Sequence, residues 1–208
     1  MSANPQPLQV GTVLFDGFEL LDAFGPLEML GMLKPAPVLS MLAEHPGSIR
    51  SNQGPCCVAE APLAGETPLD ILLVPGGMGT RRELGNPAFL DALRRRSETA
   101  KIVASVCTGS ALLAKAGVLE GRRATTNKRA FRFVASLGAN VTWVPEARWV
   151  EDGKYFTSSG VSAGMDMALG LIHHLFGPEA CAEAASRAEY EWHSDKGWDP
   201  FAKQNGLS

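Results

Sequence analysis

The chain has 208 residues, of which 45% are hydrophobic and 20% charged, with a formal net charge of -3. That is enough chain to bury a substantial core, and the balance is that of a globular protein. The slight acidity argues against a nucleic-acid surface, no apolar run approaches the roughly 20 residues of a membrane span, and MSANPQPLQV lacks a signal core, so a cytoplasmic protein is expected.

Strand-like and helix-like segments alternate along the chain. Val10 to Phe15 is a β-branched, apolar run, followed by a helical pattern through Leu20, Leu27 and Leu30. Val38–Leu42 reads as a second strand. Ile71–Val74 is a third, ending at Pro75-Gly76-Gly77, with a helix around Phe89, Leu90 and Leu93 after it. Arg94, Arg95 and Arg96 read as a solvated helix end rather than a phosphate grip. Ile102–Val106 is a strand that meets Cys107 and then a helix through Leu112 and Leu113, stopping near Gly117.

Beyond it, Ala124–Thr126 is a short strand and Phe131–Leu137 a helical stretch. Val141–Val144 and Trp149–Val150 are strands, the second closed by the turn signal Glu151-Asp152-Gly153. A long helix covers Ser162 to Phe176, and Gly177-Pro178 stops it and opens the next. Continuous apolar strands between amphipathic helices predict an α/β domain whose parallel sheet is covered on both faces. One domain over residues 1–208 is expected, with residues 1–8 flexible and residues 190–208 an aromatic tail. In such sheets sites form where strand ends open into loops, here after Phe15, Val74 and Val106.

At the third joint Cys107 stands at a helix N-terminus, where unpaired N–H groups and the dipole favour an anion and lower a thiol pKa. Cys56 and Cys57 lie among turn-like residues and Cys181 within a helix, so those three read as inert; no cysteine spacing suggests metal or a disulfide. At the second joint, PGGMG offers consecutive N–H groups able to cradle developing negative charge. At the first, Asp16 and Glu19 read as solvated. Asp22 reads either as a carboxyl that relays protons beside a thiol or as a cap before a helix opening at Pro26. His173 and His174 read as helix-end histidines favoured by the dipole, and His193, between Trp192 and Trp198, as a packing residue.

LDAFGPLE, LLVPGGMG, SVCTGSALLAKAGVLEGRRATT and SSGVSAGMDMAL together resemble the ThiJ/PfpI superfamily (class I glutamine amidotransferase-like), over nearly the whole chain. Within it the chain is most similar to the isocyanide hydratases. The resemblance implies a flavodoxin-like three-layer sandwich, a homodimer, no cofactor or metal, and a small-molecule substrate. It implies Cys107 as nucleophile on a strained strand-to-helix turn, with Thr108 beside it, Asp22 as acid and base, and Gly77 in the oxyanion pocket. Thr108 replaces the histidine that follows the cysteine in protease-like members, no late His-x-Glu pair is present, and Asn127 stands where hydratases carry histidine. Two other readings are a glyoxalase-like or deglycase-like enzyme using Glu28, and a redox sensor built on Cys107 oxidation. The chain after Gly177-Pro178 is too short for a helix-turn-helix module, so a regulator is not expected.

Overall fold

The computed structural model describes residues 6–207. In chain order the elements begin with β1 (Gln9–Val13), α1 (Leu20–Gly31), β2 (Val38–Ala43), β3 (Gly47–Arg50), β4 (Cys56–Ala59), β5 (Ala61–Pro62) and β6 (Ile71–Val74). They continue with α2 (Thr80–Glu83), α3 (Pro87–Thr99), β7 (Ile102–Val106), α4 (Gly109–Lys115), β8 (Arg123–Ala124), α5 (Phe131–Ala135) and β9 (Thr142–Trp143). The last are β10 (Trp149–Asp152), β11 (Tyr155–Ser158), α6 (Ala163–Phe176), α7 (Pro178–Arg187) and α8 (Pro200–Gln204).

Seven strands form one sheet in the order β10-β11-β7-β6-β1-β2-β5, parallel except for the β10–β11 pair. Two-residue alternation divides each strand between two cores. Leu72, Val74 and Val103 join Phe89, Leu93, Leu112 and Leu113 from α3 and α4 on one face. Ile71, Leu73, Ile102, Ala104 and Val106 join Leu27 and Leu30 of α1, Met167 and Leu171 of α6, and Cys181 of α7 on the other. This is the expected α/β sandwich with a mostly parallel sheet.

Several local expectations need correction. Cys56 and Cys57 open a strand, β4, paired antiparallel with β3. The turn predicted at Glu151-Asp152-Gly153 comes later, because Glu151 and Asp152 pair with Phe156 and Tyr155 in a hairpin. Helix α1 does not open at Pro26; it opens at Leu20 and contains Pro26. Arg94 and Arg95 are solvated and paired with Asp91, but Arg96 is buried and donates to the Thr67 carbonyl at 2.8 Å. The flexibility expected of residues 1–5 lies outside the described residues, while Leu8 packs against the second core.

The tail is tied down by a buried carboxylate. Asp166, in the first turn of α6, pairs with Arg148 at 2.6 Å and accepts from Tyr190 Oη and His193 N at 3.0 Å each. The Trp192 indole donates to the Asp166 carbonyl at 3.1 Å and its ring stacks on Trp149. The packing residues are therefore Tyr190 and Trp192; the His193 side chain is 63% exposed.

Candidate active site

Three strand ends converge on one thiol. β7 delivers Cys107 with φ 57°, a left-handed backbone that costs an L-residue roughly 1–2 kcal/mol. Four hydrogen bonds hold it there. The Cys107 N–H donates to the carbonyls of Ser158 (3.2 Å) and Ser159 (3.1 Å), and its carbonyl accepts from Ser110 Oγ (3.0 Å) and Thr126 Oγ1 (2.9 Å). The turn also needs Gly109, because a Cβ there would lie 2.1 Å from the Val74 carbonyl oxygen. Val161, in the loop leading into α6, is a second strained residue at φ 45°, and its N–H faces the thiol. A β-branched residue in that conformation is a genuine outlier.

Asp22 is fully buried on α1, behind the thiol. Pro26 has no N–H, so the Asp22 carbonyl four residues earlier loses its helical donor. Asp22 Oδ2 accepts from the Gly76 N–H at 2.9 Å. No donor lies in strict hydrogen-bond geometry with Oδ1; the Cys107 thiol reaches the carboxyl in a looser contact. The Asp22 carboxyl is raised to about 7, chiefly by burial and in small part by the charge of Glu19, against the Gly76 N–H and the thiol contact, which lower it.

The thiol itself is held well above its usual range, first by burial and next by the charge of Asp22. The Thr108 N–H, the Asn127 side chain and the Val161 N–H oppose this shift. The expected lowering of the thiol pKa at the helix start is thus reversed: burial and a neighbouring carboxylate outweigh a seven-residue helix.

Thr108 caps α4 and accepts the Gly77 N–H at its Oγ1 (3.1 Å). Gly77 has φ 125°, and a Cβ there would meet the Gly17 carbonyl oxygen at 2.3 Å. The PGG turn therefore spends its two N–H groups on positioning, Gly76 on Asp22 and Gly77 on Thr108. Cys107, Asp22, Thr108 and Gly77 come together at one place. Glu28 does not join them; it is exposed on α1 beside Leu39 and Met41. His173 and His174 lie in the last turn of α6, with His174 Nδ1 2.7 Å from Glu151.

Cys107 opens into a pocket of about 520 Å³ whose walls include Glu19, Met78, Arg81, Asn127, Arg129 and Phe133. Sequence reading placed Glu19 in solvent, yet it lines this pocket, its carboxylate bonded by the side-chain amides of Asn52 (3.4 Å) and Gln53. Val161, Arg81 and Arg129 carried no sequence signal. Among the described residues no cluster of three or more His, Cys, Asp or Glu side chains is placed to hold a metal, and no helix is long and apolar enough to cross a membrane.

A profile of the DJ-1/PfpI family matches residues 9–174, most of the chain. The chain belongs to the DJ-1/PfpI family. It is 34% identical over 184 residues to isonitrile hydratase from Pseudomonas putida, covering 88% of this chain and 78% of that protein. Another family relative is the HTH-type transcriptional regulator GbdR of Pseudomonas aeruginosa, 28% identical, of which this chain spans 52%. Among solved structures, a ThiJ/PfpI family protein from Pseudomonas syringae superposes with a TM-score of 0.82 at 27% identity, over 91% of this chain and 83% of that one.

Proposed function

We propose that the protein is a cofactor-independent hydratase that adds water to small isocyanides, giving N-substituted formamides. The observation that carries the reading is the buried Asp22 carboxyl, poised at about 7, against the Cys107 thiol. A general acid and base works best with a pKa near the operating pH. Similarity to isonitrile hydratase of Pseudomonas putida supplies the reaction class.

In this mechanism the ionised Asp22 takes the Cys107 proton as sulfur bonds to the terminal isocyanide carbon. It then delivers that proton to the same carbon, leaving a thioimidate, R–N=CH–S. A water molecule next bonds to this carbon, Asp22 moving one of its protons to the nitrogen. The C–S bond breaks, the remaining hydroxyl proton returns to sulfur through Asp22, and R–NH–CHO leaves with the thiol restored. Thr108, oriented by Gly77, and the N–H groups of Thr108 and Val161 stabilise charge as it forms at sulfur. The raised thiol pKa favours this substrate-triggered proton transfer over the standing thiolate a peroxide sensor uses.

Following loss of the isocyanide absorption by infrared spectroscopy tests the reading. Native protein should consume aliphatic or aromatic isocyanides, and Cys107→Ala and Asp22→Asn should each lose at least about a thousandfold in kcat. No turnover by the native protein would overturn the reading.

A further inference from the structure

The walls of the Cys107 pocket carry an unbalanced charge. Arg81 lies in the first turn of α2, after the PGG turn, and Arg129 lies two residues beyond Asn127, whose side chain touches the thiol. Both line the same pocket as Cys107 and both are exposed. Neither guanidinium has an acidic partner among the described residues. Arg81 is held in place instead by stacking over Phe133, 5.6 Å from the ring centre, and by a 3.2 Å contact to Met78 Sδ. The acidic groups facing the pocket are Glu19, tied to Asn52 and Gln53, and Asp22, which lies behind the thiol with no exposed surface. Two cations without acidic partners thus line the Cys107 pocket together with the apolar side chains of Met78, Phe133 and Val161. With two cations against the one lining carboxylate of Glu19, the walls carry a net positive charge, which concentrates anionic ligands.

We infer that Arg81 and Arg129 select an electrophile that carries an anionic group, a carboxylate on the isocyanide substituent. Resting on the hydratase reading, this makes a compact isocyano acid, rather than its neutral ester, the preferred substrate class. The guanidinium planes suit a carboxylate, and the apolar wall takes the carbon chain between the two functional groups.

Alkylation of Cys107 tests the charge independently of turnover. Iodoacetate and iodoacetamide differ chiefly in charge, and peptide mass spectrometry separates Cys107 from the exposed Cys56. The ratio of the two rates cancels any change in the thiol itself. Relative to a free cysteine peptide, the native protein should favour iodoacetate by about three- to tenfold, an advantage that falls as salt is raised. R81Q/R129Q should lose it, and R81K/R129K should retain it. A ratio unchanged in R81Q/R129Q, or lost equally in the lysine pair, would overturn the inference.

The second arm compares kcat/KM for isocyanoacetate and its methyl ester. The native protein should prefer the anion by a similar factor, and R81Q/R129Q should not. An alkylation bias without hydration of either compound would remove the hydratase reading while leaving anion selection intact. Hydration of both compounds without preference or bias would remove anion selection and keep the hydratase.

Discussion

Cys107 and Asp22 carry the proposed chemistry at the scale of single residues, and each stores a measurable cost. The left-handed backbone at Cys107 disfavours any side chain with a Cβ. Among variants without a thiol, Cys107→Gly should therefore be more stable than Cys107→Ala by about 1 kcal/mol in denaturant titrations. Asp22 has its pKa raised from 3.8 to about 7, so the native state binds more protons than the unfolded chain between those values. Stability must then fall as pH rises across that window. Asp22→Asn removes the titration, so the melting temperature of the native protein, measured relative to this variant, should decline between about pH 4 and 7. An equal pH dependence in both proteins would show that the carboxyl is not held protonated by burial.

At the scale of elements, the site depends on how closely the turn after β6 approaches the turn after β7. Gly109→Ala forces a methyl against the Val74 carbonyl, with rigid backbone on both sides. The expected cost is about 3 kcal/mol of stability together with a loss of turnover, because Cys107 and Thr108 are displaced with α4. The parallel sheet is the frame for this contact. Leu72→Ala, a full truncation under α3 and α4, should cost about 2–5 kcal/mol and leave the activity of the remaining folded protein near normal.

Across the whole molecule, Arg148 and Asp166 join the sheet edge, α6 and the tail through a buried ion pair. Breaking one partner strands the other, so Asp166→Ala should destabilise by about 3–5 kcal/mol and expose the chain after α7 to limited proteolysis. Arg148→Met combined with Asp166→Leu should recover little of that loss, because the buried Asp199 carboxylate, 3.9 Å from the Arg148 guanidinium, then loses that cation. The homodimer implied by the family resemblance is a separate expectation, checked by light scattering, which should return twice the chain mass.

The sequence by itself determined the α/β class, the strands that carry the three joints, and the choice of Cys107 among four cysteines. These follow from local rules: apolar runs, helix punctuation by Gly177 and Pro178, and a thiol at the junction of two patterns. It also singled out Asp22, although residue spacing left a helix cap equally open. Only the tertiary structure decided that Asp22 lies inside α1 behind the thiol, that Glu28 points elsewhere, and that Glu19 lines the pocket. The same holds for the strain at Val161, the two unpaired arginines and the anchoring of the tail by Asp166. The reason is common to all of them. Burial and charge at a site are summed over segments far apart in the chain, so the sign of a pKa shift is fixed by packing. At Cys107 that sum opposed the local expectation, because burial first, and next a carboxylate 85 positions earlier in the sequence, outweighed the start of the adjoining helix.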